Sequence, residues 1–231
     1  MEKPADLIKD AFEQKTWQEI HTEDSWRVLK TISELVEGYE KLARIGPCVS
    51  IFGSARTHYN DKYYRLAEDI AFKLTQNGYG VITGGGPGIM ESANKGAFSI
   101  NPSKSIGINI QLPMEQRTNP YVAKSKGFYY FFTRKVMLAA SAQAYIFFPG
   151  GFGTLDEVTE IITLIQTHKM QHIPVILVGK TYWQPFVSWI ENMMIKEYKT
   201  VMPQDRKIFT VVNSAEEALK IIKTTKERTI F

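Results

Sequence analysis

From residue 47 onward, short runs that are apolar throughout alternate with longer stretches whose apolar residues recur at helical spacing. Strands that are apolar on both faces belong to parallel sheets covered by helices on both sides. The alternation therefore predicts an α/β fold, a Rossmann-like doubly wound parallel sheet with helices on both faces. The predicted strands are 48–52, 80–83, 105–110, 127–131, 144–148, 174–178 and 208–212. The predicted helices are 64–77, one that ends near 98, 133–142, 154–168, 183–197 and 214–225.

Residues 1–46 are predicted to form an N-terminal helical extension, and residues 47–231 a nucleotide-binding catalytic domain. The extension has apolar residues at helical spacing from Trp26 to Leu42, and Gly46 followed by Pro47 ends the helix. Because it contributes no strand, its apolar stripe must pack on the main domain or on another subunit. We interpret it as a packing arm.

Charge and cysteine content restrict the ligand and the compartment. Lys and Arg number 28 against 24 Asp and Glu, a net charge of +4, which fits a small anionic ligand. No run of five basic residues occurs, so nucleic-acid binding is not expected. The single Cys48 excludes an internal disulfide and indicates a reducing compartment. With no apolar leader and no run long enough to span a membrane, the sequence predicts a cytoplasmic protein.

Three predicted strands end in glycine-containing turns, at residues 52–56, 83–91 and 148–157. Glycine lets backbone N–H groups approach a ligand closely, and the start of a helix adds unpaired N–H groups and partial positive charge. Neither longer glycine run matches the dinucleotide G-x-G-x-x-G pattern or the Walker ending. Tight turning alone would explain one such loop, whereas three at strand ends favour a phosphate ligand.

The third turn also has the spacing of a capping box, with Thr154 as N-cap and Glu157 three residues later. Spacing alone favours this structural interpretation over a catalytic one. Asp156 and Glu157 diverge by about 100° on a helix, so they do not form a facing carboxylate pair. Arg134 and Lys135 begin a predicted helix, where cations oppose the helix dipole, and this mismatch indicates an anionic partner.

Residues 149–157 match the pattern P-G-G-x-G-T-x-x-E. Together with Arg134-Lys135-x-Met137 and with the glycine-rich run 84–90, they identify the chain as a member of the LOG ("lonely guy") family, whose proteins are often mislabelled lysine decarboxylases. The N-terminal helix and the loop 112–120 resemble a longer bacterial branch of that family. Thr133 is a departure, because many plant-type members carry Glu before the Arg-Lys pair, and it leaves the preferred base open.

The resemblance implies phosphoribohydrolase activity on AMP or a cytokinin-type nucleoside 5′-monophosphate, with release of the free base and ribose 5-phosphate. It implies Arg134 and Glu157 as the catalytic pair. The residues implied for substrate and phosphate binding are Gly53, Ser54, Gly84, Gly85, Gly86, Met137, Gly150, Gly151, Gly153 and Thr154. Further candidates are Lys135, Arg56 and Glu91.

No cofactor and no metal site are predicted; His168 and His172 have a metal-like spacing but no third ligand. The resemblance also implies a homodimer or a larger homo-oligomer with sites at the subunit interface. An alternative of another class is a non-catalytic carrier of a nucleotide or of molybdenum cofactor, whose pterin also bears a phosphate. The presence of both Arg134 and Glu157 favours turnover over simple binding.

Overall fold

The computed structural model describes residues 17–43, 46–110, 118–140 and 142–228, which include a sheet of seven parallel strands. The strands are β1 Cys48–Phe52, β2 Gly80–Thr83, β3 Ser105–Ile110, β4 Lys124–Phe128, β5 Ala142–Phe147, β6 Val175–Val178 and β7 Phe209–Val212. Their order across the sheet is β4-β3-β2-β1-β5-β6-β7. The chain moves outward from β1 to one edge and then crosses back to β5, so the strand order reverses between β1 and β5.

Seven α-helices are described, and they cover both faces of the sheet. They are α1 Trp17–Ala43, α2 Lys62–Gln76, α3 Ile89–Ile100, α4 Phe131–Ala140, α5 Phe152–Gln166, α6 Lys180–Trp189 and α7 Ala215–Thr224. Helix α6 continues as a π-helix over Ile190–Glu197. Short 3₁₀ segments occupy Pro102–Lys104 and Pro203–Ile208.

Two hydrophobic cores confirm the doubly wound architecture. In β1, Val49 and Ile51 face a core shared with α2, α3 and α7. Cys48 and Phe52 face the opposite core, shared with α4, α5 and α6. Alternate residues of one strand therefore enter opposite cores, and this explains why the strand is apolar throughout.

The predicted strand 127–131 is wrong by three residues. The strand is Lys124–Phe128, and the aromatic residues after it begin helix α4 at Phe131. As an edge strand, β4 exposes most of its residues, so it lacks the apolar run that marks the central strands. The aromatic residues 128–132 have high strand propensity, and for this reason the strand was predicted too far toward the C-terminus.

Helix α1 packs on the domain with a minor part of its apolar stripe, Leu35. Trp26, Ile32 and Val36 are 70%, 51% and 53% exposed, while Glu34 and Gly38 are buried against the domain. Within one chain, the packing-arm interpretation therefore does not account for the exposed apolar side chains of the stripe. Contact with another subunit stays a prediction, as does the division of the chain at residue 46.

Among the described residues, no helix is long and apolar enough to cross a membrane. The cytoplasmic location stays a prediction. Residues 1–16 and 44–45 of the predicted extension and residues 112–117 of the loop 112–120 lie outside the described residues.

Candidate active site

The three glycine-containing turns lie side by side at the carboxyl ends of β1, β2 and β5. Phe148 N donates a hydrogen bond to Phe52 O at 2.9 Å, and Ser54 N donates to Pro149 O at 3.0 Å. Ile89 N in turn donates to Ser54 O at 3.1 Å, which fastens the start of α3 to the first turn. The turns thus meet at the switch point between β1 and β5, the place where open α/β sheets bind ligands.

Helix α5 begins at Phe152, with Gly151 as its N-cap. Gly151 has no side chain to cap the first amides of the helix, so these N–H groups remain available to a ligand. Gly151 and Gly153 are exposed, and a Cβ added to either would meet no atom within 4 Å. Packing therefore does not require glycine at these two positions, whereas close approach of an anion does.

The predicted capping box is wrong, because the helix starts two residues earlier than predicted. Thr154 is the third residue of α5 and is buried, and its side chain lies where a Cβ on Gly150 would project. The Thr154 side chain therefore packs directly against the turn, and this packing leaves no room for a side chain at Gly150. Because α5 starts at Phe152, the backbone N–H groups of Phe152 and Gly153 belong to the exposed start of the helix.

Tyr182, at the start of α6, holds the same turn from another side. Its hydroxyl donates a hydrogen bond of 2.5 Å to Gly150 O. Sequence analysis missed this residue, because a tyrosine in an amphipathic helix carries no motif. Tyr182 thereby links the turn after β5 to the start of the helix that follows β6.

Glu157 is half-buried one turn inside α5 and borders a narrow cavity that Phe52, Lys135 and Glu160 also line. Burial raises the pKa of Glu157 to about 7, and the positive charge of Arg134 limits that rise. The carboxyl therefore changes between its protonated and ionised forms near neutral pH. Such a pKa suits a group that takes up a proton during a reaction.

Arg134 in α4 faces the same region and is fixed at its Nε, which donates a hydrogen bond of 2.9 Å to Ile108 O. Its guanidinium lies against Gly84, where an added Cβ would be 2.5 Å from Nη2. Burial lowers the pKa of Arg134, and the charge of Glu157 opposes that effect. The structure thus brings the predicted catalytic pair together within electrostatic range.

Lys135 points toward the outer flank of α5. Its Nζ pairs with Asp156 Oδ2 at 2.8 Å and with Glu160 Oε2 at 3.1 Å. Asp156 is directed to the surface while its neighbour Glu157 is half-buried, as helical geometry requires. The anionic partners of the two cations of α4 therefore include carboxylates of α5.

A buried polar network shapes the turn after β2. Thr83 Oγ1 accepts from Gly85 N at 2.9 Å and donates to Asn94 Oδ1 at 2.6 Å. Asn119 Nδ2 donates to Gly86 O at 3.0 Å and also to Asn94 Oδ1 at 3.0 Å. Gly85 has a φ of +73°, a conformation that favours glycine. Sequence analysis did not find the roles of Thr83 and Asn94, since their partners come from distant segments.

Three further predicted site residues have surroundings that differ from one another. Met137 is fully buried in the core and packs against Gly38, and its predicted role in substrate binding stays a prediction. Arg56 is exposed, with its N–H bonded to Ser54 Oγ at 3.0 Å. Glu91 lies beside Tyr64 of α2, whose pKa is raised to about 12 by burial first and by Glu91 second.

Known proteins match both the sequence and the fold. The sequence profile of a family described as "Possible lysine decarboxylase" matches residues 90–222, more than half of the chain. The chain belongs to this family. A cytokinin riboside 5′-monophosphate phosphoribohydrolase of Arabidopsis thaliana is 27% identical over 176 residues, which cover 75% of this chain and 80% of that protein. One of Oryza sativa subsp. japonica is 30% identical over 165 residues, 69% of this chain and 66% of that protein. These relatives confirm the resemblance to the LOG family.

Solved structures share the fold. The molybdenum cofactor binding protein from Rippkaea orientalis aligns with a TM-score of 0.56 at 19% identity, over 77% of this chain and 96% of that one. The molybdenum cofactor carrier protein from Chlamydomonas reinhardtii aligns with a TM-score of 0.55 at 20% identity, with the same coverage. At these identities the likeness establishes the Rossmann-like architecture alone.

Proposed function

We propose that this protein hydrolyses the N-glycosidic bond of a nucleoside 5′-monophosphate, AMP or a cytokinin-type nucleotide, and releases the free base and ribose 5-phosphate. The observation that carries the proposal is a half-buried Glu157 with a near-neutral pKa that faces Arg134, four to six residues from exposed helix-start amides. The family membership and the names of the relatives support the same reaction.

The amides at the start of α5 suit the phosphate of the substrate. They carry the partial positive charge of the helix terminus, and Gly151 and Gly153 leave open space above them. Glu157 follows on the same helix about one turn later, so a phosphate bound at this terminus brings the attached ribose toward the carboxyl group. The start of one helix thereby binds the anion and sets the distance to the catalytic group.

In the proposed reaction, a water oxygen bonds to C1′ while the bond between C1′ and the base nitrogen breaks. The electron pair of that bond leaves with the base, which takes up a proton from solvent, and the attacking water gives a proton to Glu157, which returns it to solvent. Positive charge builds on the sugar in the oxocarbenium-like transition state, and ionised Glu157 stabilises it. Arg134 lowers the pKa of Glu157, which favours the ionised form, and binds anionic or polar oxygens of the ribose phosphate.

The test incubates the protein with AMP, GMP, CMP, IMP or isopentenyladenosine monophosphate and measures the released base by chromatography. We expect Glu157→Gln to abolish release and Asp156→Asn, the adjacent surface carboxylate, to retain it. The proposal also requires that the nucleosides without phosphate are poor substrates. Near-wild-type hydrolysis by Glu157→Gln would refute the assignment of Glu157.

A carrier role remains the second candidate, because the exposed amides of Gly151–Gly153 suit any phosphate monoester equally well. A carrier would be stabilised by a nucleotide, or by a phosphorylated pterin, and would release no base from it. Thermal unfolding with and without AMP, measured beside base release, separates the two functions.

We also propose that the chain forms a homo-oligomer. The support is apolar surface that α1 and the start of α4 leave exposed, including Trp26, Ile32, Phe131 and Phe132. Sedimentation equilibrium of Ile32→Glu beside the wild type tests this, and a monomeric wild type would contradict it.

A further inference from the structure

The start of helix α4 is capped by a carboxylate from another helix. Glu34 of α1 is 9% exposed, and its Oε1 accepts a hydrogen bond from Tyr129 N at 2.6 Å. Its Oε2 accepts from Thr133 Oγ1 at 2.6 Å and from Tyr130 N at 3.4 Å. The first turn of α4 has no acidic residue of its own. A residue 95 positions away in sequence therefore supplies the negative charge that a helix start favours.

This cap lies one residue from Arg134. Thr133, which Glu34 binds, is the residue before Arg134, and Arg134 N donates to Tyr130 O at 3.3 Å. The guanidinium is then held on the other side by Ile108 O. The position of the first turn of α4 therefore decides where the guanidinium lies relative to Gly84 and the cleft.

Helix α1 is fixed at this place by further contacts on the same face. Gly38 lies so close to Met137 of α4 that an added Cβ would collide with the thioether. Glu37 forms an ion pair with Lys126 of β4, two residues before the strand ends. Glu37 is half exposed and its ion pair is with β4, so it provides a matched comparison for Glu34.

We propose that Glu34 is a positioning residue of the active site: it holds the first turn of α4 so that Arg134 faces the substrate and Glu157. The inference rests on the proposed function for its kinetic consequence, but the placement of Arg134 is measurable without it. The helical extension accordingly contributes to the geometry of the active site through Glu34.

The kinetic test compares Glu34→Gln with Glu37→Gln in base release from AMP, or from whichever nucleotide the wild type cleaves. Glutamine keeps the shape of Glu34 but loses the charge and one acceptor. Displacement of a catalytic group by about 1 Å costs roughly 10²-fold in rate, so we expect a loss of that order in kcat/KM for Glu34→Gln. Glu37→Gln removes a partly exposed ion pair and is expected to stay within about fivefold of the wild type.

The pH profile separates positioning from a general loss of structure. Glu157 is faced by Arg134 and Lys135 from α4 and by Asp156 and Glu160 from its own helix. Because Arg134 lowers the pKa of Glu157, a less fixed Arg134 moves the acidic limb of kcat/KM to higher pH in Glu34→Gln. The limb stays in place in Glu37→Gln. An unchanged limb and unchanged kcat/KM in folded Glu34→Gln would overturn the proposal.

A readout independent of activity is hydrogen exchange at Arg134 Nε, whose NMR signal is assigned by its loss in Arg134→Lys. We expect faster exchange in Glu34→Gln than in the wild type or in Glu37→Gln, because the bond to Ile108 O is less constrained. Thr133→Val, which deletes one donor to Glu34 at constant shape, shows the same direction should Glu34→Gln fail to fold. If the wild type releases no base, only the proposed function is refuted. If Nε exchange is unaltered in both Glu34→Gln and Thr133→Val, the positioning role is refuted.

Discussion

Replacing Glu157 by Gln is expected to make the protein more stable at the same time as it removes the proposed activity. Burial favours the neutral form of this side chain, so above its pKa the folded protein contains a carboxylate that the fold itself disfavours. The free energy of unfolding falls as the pH rises from about 4.5 to about 7, since in this range the folded state holds a proton that the unfolded state has lost.

The magnitude follows from the two pKa values. Glu157 titrates at about 7 in the folded protein, against an ordinary value of 4.5. At about 1.4 kcal/mol for each unit, the ionised carboxylate costs the folded state up to about 3 kcal/mol at pH 8. Glutamine is neutral at every pH and avoids this cost. We expect Glu157→Gln to raise the free energy of unfolding by up to about 3 kcal/mol at pH 8 and by about 1 kcal/mol or less at pH 5.

The assay is urea unfolding of both proteins at pH 5 and pH 8, followed by circular dichroism and by tryptophan fluorescence. Asp156→Asn serves as the control, because this neighbour pairs with Lys135 at the surface and its removal costs at most about 1 kcal/mol. A Glu157→Gln protein that is no more stable than the wild type at pH 8, or whose advantage is the same at both pH values, would refute the argument.

Three more predictions concern the site. Because Glu157 acts as a base only when it is ionised, kcat/KM of the wild type is expected to rise with pH, with a midpoint near 7 in a pH-rate profile. Arg134→Met removes a positive charge that lowers the pKa of Glu157, so we expect it to move this midpoint to higher pH. Gly150→Ala, whose Cβ would collide with the Thr154 side chain, should lower the free energy of unfolding in urea more than Gly151→Ala, whose Cβ meets no protein atom; equal effects would show that the Thr154 packing does not matter. Tyr182→Phe removes the donor to Gly150 O and is expected to raise KM severalfold, about tenfold at most, with kcat little changed in steady-state assays, whereas an unchanged KM would contradict the supporting role.

Much of the architecture was predictable from periodicity. Buried central strands such as Gly80–Thr83 and Ser105–Ile110 are apolar runs bounded by glycine or polar residues, and their predicted bounds match the structure. The prediction failed at the edge strand Lys124–Phe128, because an exposed strand needs no apolar run. Helix starts were also displaced, since the capping spacing at Thr154 outweighed the glycine that begins α5.

The site was predictable only where a local motif carries it. The turn 149–157 and the Arg134-Lys135 pair are contiguous in sequence, and each has a recognisable pattern. Glu34 has none, because its partners are two backbone amides and a hydroxyl 95 to 99 residues away. No periodicity records which helix lies against the start of α4. Contacts between distant segments are set by tertiary packing, and they are what a single sequence leaves open.

Features that oppose stability are concentrated at the carboxyl ends of the central strands. A helix start without a capping side chain, a carboxyl with a raised pKa and an arginine with a lowered pKa are each unfavourable in isolation. They lie at the carboxyl ends of β1, β2 and β5, while the buried polar groups that shape the turn after β2 are hydrogen-bonded to one another. Such a distribution is typical of a site whose charges are complementary to a bound ligand. A phosphate ester at the start of α5 would satisfy the free amides, so a nucleotide should stabilise the protein most at these strand ends.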